Sequence, residues 1–370
     1  MTLTTRSHIA EIDHLRGVAI LLTLVAHISA ALVVPVHALT TVYSYAEFWG
    51  GVYLFFVISG YVITRGFAAS FEPANGLFIR AWRDFYRRRF FRIVPTAFFW
   101  IICTLVLAGL FNRGGSFGDF HKNLIQAGAA ATFAYNFIFP LWTGTFGIYW
   151  SLTLEEQFYL VFPVVSRLPT RWRLVLLTLP IILLAFFHRP AGSFLVFLPV
   201  DALCWGSLLA LAQRAGLLRR LEPSFLRNPL CRTASQVLSI LCLVLIPSWM
   251  KPFTPTTSIM TLVCVWIVFC ASFDKGYARP IAGEWLRGLG LVSFSLYLCH
   301  PVALLTGREM GLLLGSRLSI GSAGQNAIAI STGLSLTTMF TLLSYRLIEG
   351  PTRRIGSRPG FAIRRVAKQA

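Results

Sequence analysis

Eleven stretches of this 370-residue chain are apolar over 17 residues or more: 15–36, 48–69, 93–111, 124–142, 146–166, 172–188, 194–213, 234–250, 256–273, 286–307 and 325–348. A helix rises 1.5 Å per residue, so each is long enough to cross most of a bilayer core about 30 Å thick. Inside hydrocarbon every backbone N–H and C=O must be paired, which leaves helices or closed barrels. Barrel strands alternate apolar and polar with period two, and these stretches do not. Charged residues make up only 13% of the chain against 56% apolar, too few for a soluble protein with one anchor. The expected fold is therefore all-α, a polytopic helical bundle in a membrane. The first stretch lacks a small-residue cleavage motif and is followed at once by another, so it is expected to stay rather than be removed as a signal peptide.

A net charge of +19 could suggest nucleic acid, but the 33 Lys and Arg residues cluster in short segments between apolar stretches. Membrane orientation explains that placement more simply, and no nucleic-acid partner is expected. With a cytoplasmic N-terminus, the cluster at 65–92 falls inside. If 124–142 and 146–166 both crossed fully, every later basic segment would fall outside. If the two together make one crossing, the clusters at 167–173, 214–232, 275–287 and 353–368 all fall inside, giving 26 basic residues inside and 6 outside. Ten crossings with both termini cytoplasmic follow, with one of the two stretches re-entrant, broken or interfacial. Irregular backbone at that depth must be buried in protein or line a watery cavity, so this region is a natural place for a site. The chain divides into a membrane domain, 1–352, and a basic tail, 353–370, with the segment from Gly350 loosely ordered.

Ionisable groups inside apolar stretches are expensive and mark candidate sites. Arg16 and His27 are eleven residues apart in the first stretch: three helical turns with about 20° left over, so they share one face about 16 Å apart. With Arg16 at the membrane surface, His27 lies near the midplane. Glu155 and Glu156, in WSLTLEEQFY (150–159), point about 100° apart, so at most one faces a given site. They are either first-turn acids of a helix capped by Ser151, or one of them serves a histidine's proton chemistry. Arg89 and Arg92, spaced i, i+3 in RRRFFRIVP (87–95), put two guanidinium groups on one face: a membrane anchor, or a phosphate site. Ser59 and Gly60, in FFVISGY (55–61), suit close helix packing. Asp201 is an acid in an apolar stretch that should pair with an arginine or line a cavity. His300 precedes Pro301 in SLYLCHP (295–301) and reads best as a core histidine, while Glu349 in LIEGP (347–351) should pair with a nearby arginine. The seven cysteines are scattered, with no CxxC pair, and neither metal nor disulfide roles are expected.

These motifs, in this order and spacing from about Ile12 to Arg354, resemble the membrane-bound acyltransferase family 3. The resemblance implies a ten-span domain of the bacterial inner membrane that transfers an acyl group, commonly acetyl from acetyl-CoA, to hydroxyls of extracytoplasmic carbohydrates, glycolipids or small molecules. Matched position by position, His27 falls on the family's essential histidine and Arg16 on its paired arginine. Arg89 and Arg92 fall on the arginine pair linked to donor use, and Glu155 with Trp150 and Ser151 on the tryptophan-to-glutamate motif. Tyr61, Asp201 and His300 complete the candidate set. Acyl-CoA would enter as a substrate held near Arg89 and Arg92, and no permanently bound cofactor is expected. His27 would act on an acceptor hydroxyl as a base or carry the acyl group itself, with Glu155 fixing its tautomer or taking its proton. Some members carry a soluble esterase-like domain after the last span; this chain ends without one, so a hand-over through such a domain would need a separate protein. The alternative class is a transporter or flippase for a glycan or lipid-linked precursor, which would move its substrate without acylating it.

Overall fold

The structure is a computed structural model that describes residues 8–67, 77–138, 144–186, 197–250, 256–279 and 283–358. Among these residues the regular structure is entirely helical: α1 (Ala10–His27), α2 (His37–Tyr45), α3 (Gly50–Phe67), α4 (Leu77–Leu110), α5 (Phe120–Ala131), α6 (Tyr135–Ile138), α7 (Tyr149–Arg167), α8 (Thr170–Phe186), α9 (Val200–Arg214), α10 (Pro229–Trp249), α11 (Thr256–Ala271), α12 (Gly283–Leu291), α13 (Ser293–Arg317), α14 (Ser322–Ser344) and α15 (Gly350–Ser357). Five spans, 10–31, 50–67, 81–110, 229–249 and 322–357, are each apolar and long enough to cross a membrane. The pair α12 and α13, bent by 77°, is apolar and long enough only when taken together, as a broken span or a re-entrant loop.

Buried side chains form two apolar cores. One gathers α1, α3, α9 and α11 around Tyr53, Phe56, Leu203 and Met260; the other gathers α4, α5, α7 and α13 around Trp100, Tyr135, Phe162 and Cys299. Trp150 and Phe158 of α7 pack against both, so α7 is the seam between them. Close backbone approach sets how tightly α3 meets its neighbour. A Cβ on Gly60 would sit 2.0 Å from the Leu203 carbonyl oxygen, and one on Gly206 2.1 Å from that of Val57. Only hydrogen fits at these two crossings, the packing that small residues permit between membrane helices.

Local irregularities differ from the simple pattern of apolar stretches. The stretch 124–142 is the broken one: α5 ends at Ala131, Phe133 takes φ +52°, and a single turn, α6, follows. Residues 139–142 lie outside the described residues. By contrast 146–166 is helical without a break from Tyr149 on, as α7. The first stretch does not stay α-helical to its end, because α1 gives way after His27 to a 3₁₀ turn, Ile28–Ala31. His27 therefore sits at a helix C-terminus. The basic segment before the third stretch is itself helical, so α4 runs 34 residues and carries Arg83 to Arg92 on one rigid rod. The segment from Gly350, expected to be loose, enters through a π-helical turn, Tyr345–Glu349, and forms α15, which packs on α4.

Candidate active site

The first turn of α1 is fixed by its acids. Glu11, buried, accepts backbone N–H groups of Gly276 and Ala278 at 2.6 and 2.5 Å, and Asp13 lies 3.6 Å from the Arg16 guanidinium. Arg16 is thereby aimed across the bundle toward α4 and α7. There it lines a cleft of about 730 Å³ of atom-free space, open to solvent, together with Ser59 of α3, Arg89 and Arg92 of α4, Ser151, Glu155 and Tyr159 of α7, and Tyr297 of α13.

The cleft is cationic. The Arg89 guanidinium carbon lies 4.8 Å from the centre of the Tyr159 ring and 5.7 Å from that of Phe85, a cation–π arrangement that fixes the plane of its donors. Arg92 experiences the positive charges of Arg16, Arg89 and Arg353 and the opposing carboxylates of Glu349, Glu155 and Glu156. Glu349 is buried, accepts from Ser295 Oγ at 2.7 Å and pairs with Arg353 at 3.3 Å, which meets the expectation of an arginine partner. Three arginines from two distant helices thus converge on one space. Arginine forks match carboxylate and phosphate oxygens two at a time, so an anion with several oxygens fits this wall.

Glu155 faces the arginines, and both its oxygens are occupied. Ser59 Oγ donates to Oε1 at 2.9 Å and the Tyr159 hydroxyl to Oε2 at 2.7 Å. This departs from the expectation that Glu155 fixes the His27 tautomer. The Thr23 carbonyl does that, 2.8 Å from His27 Nδ1. Glu155 lines the cleft together with Arg16, whereas His27 is not among the lining residues and lies three turns, about 16 Å, along α1 from Arg16. Ser59 and Gly60, which the sequence groups as packing residues, separate: Gly60 packs and Ser59 belongs to the cleft.

His27 instead meets His300. Their ring centres are 5.0 Å apart and the planes cross at 69°. His300, fully buried, places Nδ1 3.1 Å from the Leu296 carbonyl. A carbonyl can only accept, so the neutral form of each ring carries hydrogen on Nδ1 and a lone pair on Nε2. Between cleft and histidine pair stands Tyr297. Its ring lines the cleft, lies 5.9 Å from that of His300, and its hydroxyl donates to the Ile148 carbonyl at 3.0 Å with Ser151 Oγ 2.5 Å away.

The other candidates sit elsewhere. Trp150 packs edge-on against Phe56 and Phe197 at 5.8 and 5.5 Å, in the seam between the cores. The Tyr61 hydroxyl donates to Gln213 at 2.6 Å, joining α3 to α9. Asp201 is buried in the first turn of α9 and is not among the residues lining the cleft. Sequence reasoning assigned no role to Tyr159, Tyr297 or Arg353. The signal available was helical spacing: Tyr159 follows Glu155 by four residues, and Arg353 follows Glu349 by four.

A family model described as an acyltransferase domain matches residues 9–346. Among curated proteins, the chain is 24% identical over 387 aligned residues to OatA of Listeria monocytogenes, named a peptidoglycan O-acetyltransferase; the match covers 95% of this chain and 57% of that one. It is 27% identical over 346 residues to YrhL of Bacillus subtilis, provisionally named a peptidoglycan O-acetyltransferase, covering 83% and 51%. Over 128 residues it is 30% identical to the O-acetyltransferase OatA of Staphylococcus aureus, covering 31% and 19%. The chain thus spans about half the length of the first two relatives. No solved structure matches.

Proposed function

The chain belongs to acyltransferase family 3, and from that membership we propose that it is a membrane O-acyltransferase moving an acetyl group from cytoplasmic acetyl-CoA to a hydroxyl of an extracytoplasmic carbohydrate, a surface polysaccharide or glycolipid. The observation that carries this reading is the convergence of Arg16, Arg89 and Arg92 on one cleft whose far wall, Tyr297, touches the histidine pair. The phosphates of CoA would lie against the arginines, with the pantetheine arm passing Tyr297 and the thioester reaching His27. His27 Nε2, left bare by the Thr23 hydrogen bond, takes the proton of the acceptor hydroxyl as the oxygen attacks the thioester carbonyl. The positive charge then on the ring is favoured at the C-terminal end of α1. Glu155 acts here as a positioning residue: it holds Tyr159 under Arg89, and so orients a donor-binding group rather than the base.

The topology that goes with this reading has ten crossings of a bacterial inner membrane, both termini cytoplasmic, with Arg16 toward the donor side and His27 toward the acceptor side. The membrane domain runs through residue 352, and α15 adds Arg353 to its cytoplasmic face. The chemistry is tested in sealed vesicles with labelled acetyl-CoA on the cytoplasmic side and glycan on the other. Label should appear on the glycan and vanish in His27→Ala while membrane insertion is kept; unchanged acylation would remove His27 from the mechanism. Glycan movement without label would favour the transporter class.

A further inference from the structure

His300 is a buried histidine with one nitrogen accounted for and one not. Nδ1 donates to Leu296, while Nε2 is fully buried and has no hydrogen-bond partner among the described residues. A buried acceptor left without a donor costs stability, and most such groups in folded proteins are paired. Two aromatic rings lie beside it: Tyr297, whose hydroxyl is engaged at Ile148 and Ser151, and His27. With Nδ1 tied back to its own helix, the negative end of the neutral His300 ring is the Nε2 side, directed away from that helix and into the bundle. His27 contributes a ring that is neutral at rest and cationic during the reaction.

We propose, resting on the reading of His27 as the base, that His300 is its electrostatic partner: the bare Nε2 lone pair balances the positive charge that His27 gains when it removes the acceptor proton. In that step the acceptor O–H bond breaks, the proton bonds to His27 Nε2, and the oxygen forms a bond to the thioester carbonyl carbon. The C–S bond then breaks and the departing thiolate takes the proton back from His27. Between those events the charge is spread over the whole imidazolium ring, ring C–H groups included, and one edge-to-face neighbour with an unshared pair can stabilise it. His300 stays neutral throughout and touches neither substrate. Its full burial behind the partly accessible His27 suits a positioning residue and does not suit a second base.

The test compares His300→Phe, which fills the volume but has no lone pair, with His300→Gln, which restores an acceptor oxygen. Both are assayed in proteoliposomes with acetyl-CoA and glycan, against wild type. Loss of this charge–dipole contact beside a transient cation should lower kcat in His300→Phe by about 10-fold. KM for acetyl-CoA should stay the same, because the arginine cleft is untouched, and His300→Gln should recover a clear part of the loss. Wild-type kcat in His300→Phe, equal losses in both variants, or a change in KM alone would overturn the proposal. A second readout does not depend on turnover: in ¹⁵N-histidine-labelled protein, with His300→Phe for assignment, the His300 Nε2 should resonate as a bare nitrogen and Nδ1 as a protonated one. A protonated Nε2 at rest overturns the pairing. If wild type acetylates nothing, the functional reading fails, and this spectrum still decides whether the lone pair is there.

Discussion

Replacing Arg92 with glutamine should weaken ligand binding far more than it changes the stability of the free protein. Arg92 meets three like charges, Arg16, Arg89 and Arg353, and three carboxylates, Glu349, Glu155 and Glu156. Two unit charges about 8 Å apart at an effective dielectric of about 20 interact by about 2 kcal/mol. With repulsions and attractions equal in number and screened by solvent, the balance should lie within about 1 kcal/mol of zero. Without CoA, Arg92→Gln should therefore melt close to the wild-type temperature. Binding, on the proposed reading of the cleft as the CoA phosphate site, responds more strongly. One charge-assisted phosphate contact contributes about 2 kcal/mol, so the Kd for CoA should rise by roughly 30-fold. At a CoA concentration of about 100 times the wild-type Kd, wild type gains about 2.7 kcal/mol of stability, and the variant at that concentration should gain only about 0.9 kcal/mol. Thermal unfolding of detergent-purified protein with and without CoA reads both quantities. A variant that is less stable without ligand and shows an undiminished CoA shift would refute the view that these arginines are held together for an anion.

Gly60→Ala would bring a Cβ to 2.0 Å from the Leu203 carbonyl, so α3 and α9 must part by at least about 1 Å; destabilisation of about 1–3 kcal/mol is expected in thermal unfolding, and a silent substitution would contradict the crossing. Ser59→Ala and Tyr159→Phe each remove one donor from Glu155 and should lower acetyl transfer severalfold, with the double variant falling short of the product of the two because they serve one carboxylate; full additivity in a kinetic double-mutant cycle would argue against a shared role. Outside the membrane, hydrogen bonds from Lys275 first and then Tyr277 hold the Glu222 carboxyl down at about 2. A depressed carboxyl contributes above its ordinary value near 4.5 and loses that contribution as pH falls toward 2, so protease access to the 215–228 segment should stay constant from pH 8 to 5 and rise only below. Loosening between pH 8 and 6 would rule this clasp out.

Much of the site was legible because it is written on single helices. Arg16 and His27 do lie on one continuous helix, and Arg89 and Arg92 one turn apart on another, since backbone periodicity holds whatever the helix packs against. Charge bias also picked out 124–166 as irregular, and the break at Phe133 falls inside it. What the sequence misassigned were contacts between helices. Glu155 was matched to His27 because both are rare intramembrane ionisable groups, yet its partners are Ser59, 96 residues earlier, and Tyr159. His300 is the buried core histidine that the sequence indicated, but its contact with His27, 273 residues away in the chain, was not legible.

By itself, the sequence determined that this chain is a bundle of membrane-crossing helices and which residue types each helix could present. Backbone hydrogen bonding in hydrocarbon leaves helices or closed barrels, and these stretches lack the period-two alternation of barrel strands. Tertiary structure decided which of those residues meet: three arginines around one cleft, a glutamate given to a serine and a tyrosine, and two histidines face to edge. Those meetings depend on crossings such as Gly60 on Leu203, where close packing fixes helix rotation and depth. Helical periodicity tells which residues share a face of one helix, not which residues of another helix that face meets.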